Sequence, residues 1–393
     1  MALTYCKQKA GIRKIKINSF ASAHMKKERS ATSKMAEPAI SSLNWLVFLF
    51  CMAFALIRFL PLWIYELFRY CPEIPDDHQD QSGFLIIGHR GAAAHEIENT
   101  IPSLQKALNT HGANALEIDI SMTSDGQIVL WHDWDPDDTV ALVRQSGLEP
   151  HVKYRPSVPQ SPEYRKPVHM ITLDTLRTHY GYTLKNDHSQ WAPAKIPTLE
   201  DVMKWCTGEN GIKALFLDIK TPFKYIKLIE PMMQRIRLIL NAFTPSFPVI
   251  LLTPDENILS RMKEFLPGHD FALDIEMPSG IVIDPLEYSS VRPAVLFQNS
   301  YASVGRPTIL QLGPWTTYRR VIAHDTILRE EHNQSSPYVP VDKLISWTIN
   351  RRREMKCLIK MGINGILTDY PERAAKIVSK MHAHQADHIR LKK

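Results

Sequence analysis

Between residues 88 and 133 the chain reads, in order, Gly88-His89-Arg90-Gly91, Glu98-Asn99-Thr100, Glu117-Ile118-Asp119 and His132-Asp133. Histidine titrates near neutrality and can give or take a proton. Arginine presents a planar fork of donors suited to phosphate oxygens. Two adjacent carboxylates repel, and a hard divalent cation with oxygen ligands relieves that repulsion. These are the parts needed to cut a phosphodiester on a divalent metal, with one base to activate a hydroxyl and one acid to protonate the leaving alcohol. Each motif also has a plainer reading: a capping histidine, a surface arginine, a carboxylate pair neutralised by Arg or Lys.

The elements that carry these residues weigh between the readings. In Ala115-Leu116-Glu117-Ile118-Asp119-Ile120, strand alternation sends Leu116, Ile118 and Ile120 one way and Glu117 and Asp119 the other. A later apolar run, 214–219, ends in Asp218-Ile219-Lys220, so Asp218 and Lys220 share a face. Asp218 offers a third carboxylate to a metal, and Lys220 either contacts a phosphate or pairs with the carboxylates. His89 and His132 each follow a predicted strand. Thr100 reads as a helix N-cap with Pro102 early in the helix, while Glu98 has no capping role and is free to reach the site.

Short apolar runs alternate with helical stretches from residue 84 onward, which predicts parallel βα units. Eight candidate strands, 84–88, 115–120, 128–131, 214–219, 249–252, 271–275, 344–349 and 365–367, predict a closed TIM (β/α)₈ barrel. Runs 281–283 and 294–297 also qualify as strands. Residues 134–197 read as an insertion over the barrel mouth, and 276–342 look irregular.

The 393 residues carry a net charge of +6, of which residues 1–42 hold +7, leaving −1 for the rest. The basic balance therefore belongs to the tail, and no nucleic-acid surface is expected on the body. The cysteines, at 6, 51, 71, 206 and 357, form no CxxC pair. Any metal is thus expected on oxygen ligands rather than thiolates. Residues 43–65 are predominantly apolar, with one charge, Arg58, and one proline, Pro61, and are long enough to span a bilayer. The expected layout is a basic tail (1–42), one transmembrane helix (43–65), a polar linker (66–82) and a barrel domain (83–385). The charge asymmetry places the N-terminus in the cytosol and the barrel on the lumenal or extracytoplasmic side. A mitochondrial presequence is the rival reading. One glycosylation sequon, Asn333-Gln334-Ser335, is compatible with a lumenal body.

The ordered motifs resemble those of the glycerophosphodiester phosphodiesterase family. Beyond the four already quoted they include Thr123-Ser124-Asp125-Gly126, Ile196-Pro197-Thr198-Leu199-Glu200, Asp218-Ile219-Lys220, Trp347-Thr348-Ile349-Asn350 and Gly365-Ile366-Leu367-Thr368-Asp369. The match runs over roughly residues 84–380. The resemblance implies a TIM barrel and a Mg²⁺ or Ca²⁺ ion on Glu117, Asp119 and Asp218. It implies His89 and His132 as the acid/base pair, Arg90 and Lys220 as phosphate contacts, and Trp347 lining the substrate cleft. Many members carry Glu where this chain has Asp218. Aspartate occurs there in some membrane-associated relatives acting on phospholipids or lysolipids, so the substrate class stays open between small glycerophosphodiesters and membrane lipids. The lipid reading would be a lysophospholipase D, or a phospholipase C acting on phosphatidylglycerol. A catalytically silent, membrane-anchored binding protein is the alternative from another class.

Overall fold

A computed structural model describes residues 83–192, 195–277, 284–306 and 315–391. The expected basic tail, membrane segment and linker, and the candidate strand at 281–283, lie outside the described residues. Among the described residues no helix is long and apolar enough to cross a membrane.

Eight parallel strands close into a barrel. They are β1 (Leu85–Gly88), β2 (Ala115–Met122), β7 (Ala214–Ile219), β8 (Val249–Thr253), β9 (Asp270–Glu276), β10 (Tyr301–Gly305), β11 (Lys343–Trp347) and β12 (Gly365–Thr368). The ring closes because β1 pairs with both β2 and β12. Helices alternate with them: α1 (Ile101–Asn109), α4 (Leu199–Cys206), α5 (Ile229–Phe243), α6 (Glu256–Phe265), α7 (Val291–Phe297), α8 (Trp315–Ser335), α9 (Arg352–Lys360) and α10 (Pro371–Leu391).

The barrel has the expected eight strands, but one of its members differs from the expected set. Residues 128–131 belong to β3 (Ile128–Leu130), a short strand that runs antiparallel to β2 and lies outside the ring. The eighth barrel strand is β10, inside the stretch read as irregular. Residues 294–297 are helical, in α7. An apolar run such as Ile-Val-Leu-Trp reports burial, not the direction of the neighbour it pairs with.

The insertion has its own architecture. It holds α2 (Thr139–Gln145), α3 (Leu173–His179) and a separate antiparallel sheet of β4 (Tyr154–Ser157), β5 (Gly181–Leu184) and β6 (Asp187–Ala192). Trp131, Val168, Leu176, Tyr180, Tyr182 and Ile196 form a small apolar core that joins it to the segment after β3.

The alternation read in β2 and β7 is realised. Leu116, Ile118, Ile120, Leu215, Leu217 and Ile219 pack in the layer between barrel and helices. Ala115, Ala214 and Phe216 pack inside the barrel with Ile87, Ile250 and Ile345. The parallel register sets Asp119 beside Asp218. Cys206 and Cys357 are buried and are not joined in a disulfide. Asn333 of the sequon lies in α8, where its amide donates to Val341 O at 3.0 Å and accepts from Val341 N at 2.8 Å. Glycosylation of Nδ2 would break that pairing.

Candidate active site

The Gly-His-Arg-Gly loop leaves β1 and is locked onto the start of α1. Thr100 caps α1 as expected, accepting from Ser103 N, and Pro102 sits in the first turn. Ser103 Oγ accepts from Ala92 N at 2.8 Å and donates to Arg90 O at 3.0 Å. Gly91 has φ +88° and lies so close to α1 that a Cβ there would stand 2.5 Å from Ser103 Oγ. Only glycine fits that position. The tight turn frees Arg90 N to donate to Glu117 Oε2 at 2.8 Å.

A cleft of about 770 Å³ opens at this end of the barrel, lined by His89, Arg90, Glu117, His132, Asp218, Lys220 and Trp347 among others. Its size is ordinary for a small-molecule site. The predicted metal ligands converge: Glu117, Asp119 and Asp218 each offer an oxygen within 4.8 Å of the others. Asp218 Oδ1 is buried with no hydrogen-bond partner. Burial, aided by the charge of Asp119, pushes Glu117 up to about 8. Burial raises Asp218 too, with Lys220 opposing. Asp119 is held well below the carboxylate range although burial opposes this, because Lys220 and Arg90 outweigh it. An orphaned carboxylate oxygen beside a carboxyl that resists ionising is the donor set a hard cation fits.

Lys220 Nζ lies 3.0 Å from Asp119 Oδ1 and 2.5 Å from Asp218 Oδ2. Arg90 places Nε 2.9 Å from Asp119 and Nη1 2.8 Å from Glu98 and 3.1 Å from Glu149. Both expected phosphate contacts therefore line the cleft while paired to carboxylates. Glu98, expected to reach the substrate, is not among the cleft residues. It is buried between Arg90 and Arg144, where it also accepts from the Tyr182 hydroxyl at 3.3 Å. Its surroundings suit a residue that orients arginine.

The two histidines are both in the cleft wall, and each is oriented through Nδ1 by a buried carboxylate. His89 Nδ1 is 2.7 Å from Asp369 Oδ1, and His132 Nδ1 is 2.7 Å from Asp133 Oδ1. Asp369 is fixed in turn by Asn350, whose Nδ2 donates to it at 2.6 Å. The register of β1 on β12 dictates the first pair, because Gly88 lies opposite Thr368. The environments push the histidines apart. Burial and Arg90 pull His89 down, but the charge and hydrogen bond of Asp369 outweigh them and leave it above 6.5. Burial and the charges of Arg144, Arg90 and Lys220 drive His132 well below 6.5.

Several site residues were not singled out from sequence. Asn99, in the left-handed region at φ 56°, donates to Asp119 Oδ2 at 2.7 Å and accepts from Asp119 N at 3.0 Å. Asparagine tolerates that backbone better than most residues. Asp274 on β9 lines the cleft, bonded to Ser303, and burial with the nearby Asp218 pushes it up to about 7. The alternation in 271–275 carried a signal for it. Arg144, fully buried in the insertion, contacts Glu98, Asp133 Oδ1 at 2.5 Å and Glu149 Oε2 at 2.7 Å. No local pattern announces that network.

Trp347 lines the cleft as expected, with its ring stacked on Gly305. A Cβ at Gly305 would fall 2.1 Å from the indole. Gly305→Ala is therefore expected to displace Trp347 and cost roughly 1–3 kcal/mol of stability, measured by chemical denaturation. A neutral result would mean that the indole moves freely.

The profile of the glycerophosphoryl diester phosphodiesterase family matches residues 89–267. The chain is 23% identical to a glycerophosphodiester phosphodiesterase of Caldanaerobacter subterraneus subsp. tengcongensis over 306 residues, covering 75% of this chain and 98% of that one. It is 22% identical over 306 residues to lysophospholipase D GDPD1 of Rattus norvegicus, covering 76% and 87%. Among solved structures, an Oleispira antarctica phosphodiesterase in complex with the product sn-glycerol-3-phosphate shares the fold. Its TM-score is 0.51 at 16% identity, covering 79% of this chain and 98% of that one. Taken with the barrel, these matches make the chain similar to the glycerophosphoryl diester phosphodiesterases and, like them, a phosphoric diester hydrolase.

Proposed function

We propose that the chain hydrolyses glycerophosphodiesters to glycerol phosphate and an alcohol, with His132 as base and His89 as acid in the first step. One observation carries this reading: both imidazoles are held through Nδ1 by buried carboxylates, with their proton affinities moved in opposite directions. His132, kept neutral, takes the proton of the glycerol 2-hydroxyl as that oxygen attacks phosphorus. His89, kept protonated, gives its proton to the departing alcohol oxygen as the P–O bond breaks. In the second step the roles reverse: His89 takes a proton from water, whose oxygen opens the cyclic phosphate, and His132 returns its proton to the glycerol oxygen. Glu117, Asp119 and Asp218 would hold a Mg²⁺ or Ca²⁺ ion, which when bound neutralises phosphate charge as a Lewis acid. Arg90 and Lys220 line the same cleft and supply further positive charge to the phosphate.

The expected pH profile follows from the signs. Rate is lost on the acid side only when His132 protonates, below 6.5, and on the alkaline side when His89 deprotonates, above 6.5. The plateau of kcat/KM for a water-soluble glycerophosphodiester should therefore straddle 6.5. A single rise through pH 6.5 with no alkaline limb would contradict the assignment.

A lysolipid substrate is the second reading. Val140 and Phe223 line the cleft and are 48% and 54% exposed, with Val143 and Ile258 beside them in the lining. That is an apolar path for an acyl chain, and a relative named as a lysophospholipase D agrees with it. Comparing turnover of soluble glycerophosphodiesters, lysolipids and phosphatidylglycerol separates the two. Activity on lipids alone would replace the first reading with the second.

The proposal includes a single-pass membrane anchor at 43–65 with a cytosolic N-terminus, supported by the length and apolarity of that run and the charge asymmetry around it. About 18 linker residues, extended, reach ~60 Å, enough for the cleft to face the bilayer. Release of the chain from membranes by alkaline extraction would remove the anchor from the account.

A further inference from the structure

A second group of metal-ligating side chains converges outside the cleft. His95 lies in the turn that follows the Gly-His-Arg-Gly loop, His111 lies just past α1, and Glu372 lies in the first turn of α10. His95 Nε2 is 3.3 Å and His111 Nδ1 is 3.7 Å from the same oxygen, Glu372 Oε2. The imidazoles stack with centroids 4.4 Å apart. One ligand atom from each of the three residues falls within 4.8 Å of the others.

The spacing argues for an ion rather than hydrogen bonds. His95 Nε2 and Glu372 Oε2, 3.3 Å apart, are shielded from solvent and have no hydrogen-bond partner, and His111 turns its Nδ1 toward the same oxygen. Two unsatisfied buried polar atoms facing each other, with a third ligand atom beside them, require an explanation. Good N–H···O bonds run about 2.7–3.2 Å. Two ligands of a tetrahedral ion with bonds of about 2.0–2.1 Å stand about 3.4 Å apart, which the two measured separations bracket.

We propose that His95, His111 and Glu372 form a second cation site, for a borderline ion of the zinc type, with solvent as its fourth ligand. Two imidazoles and one carboxylate favour such an ion, whereas the oxygen-only trio in the cleft favours Mg²⁺ or Ca²⁺. Partial exposure of all three side chains leaves room for the solvent ligand. An ion here ties the loop after β1 to the start of α10. Those segments carry His89 and Asp369, the pair held 2.7 Å apart. The ion would brace these two segments without touching substrate, and the 2.7 Å His89–Asp369 contact forms without it, so basal turnover does not depend on it.

The test titrates the full chain with Zn²⁺ in excess Mg²⁺, which occupies the carboxylate trio. The expected result is one equivalent of zinc that Mg²⁺ does not displace, with a rise in melting temperature. His95→Ala/His111→Ala should lose that equivalent and the rise while keeping Mg²⁺-supported turnover. If the double variant does not fold, Glu372→Gln serves, with zinc affinity expected to fall at least tenfold. Zinc binding unchanged in either folded variant, or no zinc equivalent in the unaltered chain, overturns the proposal. Zinc retained by a chain without turnover would count against the proposed activity and not against this site.

Discussion

Replacing His132 by alanine lowers turnover by about 10²–10⁴-fold while the protein unfolds at its usual temperature. The activity loss follows from geometry: the ring lines the cleft, its Nδ1 is committed to Asp133, and its other nitrogen is the group left for a substrate proton. The modest stability effect follows from what remains, because Asp133 keeps its contact with Arg144 after the imidazole is gone. His89→Ala should act alike, with Asp369 still held by Asn350. The double variant adds a further check. Two residues serving one proton-transfer cycle lose function as a unit, so the pair should be little worse than the poorer single. Steady-state kinetics on a soluble glycerophosphodiester decide this, and near-normal rates in either single variant would remove histidine catalysis from the account.

Arg144→Met is expected to cost ~3–5 kcal/mol of stability, the loss typical when one partner of a buried ion pair is removed. The methionine keeps most of the apolar stem, so the loss reports charge rather than packing. Arg144 is fully buried and meets Glu98, Asp133 and Glu149 at once. Without it, Arg90 alone faces Glu98 and Glu149, leaving buried negative charge uncompensated. Turnover should fall as well, because Glu98 and Glu149 hold the Arg90 guanidinium at the cleft wall. Equilibrium denaturation measures the effect; a change below about 1 kcal/mol, the range of an exposed pair, would show that water reaches the network.

What could be read from sequence divides by range. Glu117, Asp119 and Asp218 were legible because strand alternation is local and their parallel register brings the aspartates together. Thr100 as a cap and the closed eight-strand count were legible for the same reason. The strand Tyr301–Gly305 was missed because its residues are small and mixed, whereas 128–131 was over-read because a buried apolar run looks alike in either pairing direction. The partners of Glu98 are not legible locally: Arg144 and Tyr182 approach it only when the insertion folds back. Asp369 stood in a recognised motif, yet its task follows only from β1 lying against β12.

The most direct test of the central claim is release of glycerol phosphate from a water-soluble glycerophosphodiester by the full chain, with and without chelator. Turnover should stop when divalent cations are removed and return with Mg²⁺ or Ca²⁺, in keeping with the proposed ion on the clustered oxygens of Glu117, Asp119 and Asp218. Turnover indifferent to chelator, or none on any phosphodiester with either cation, would contradict it.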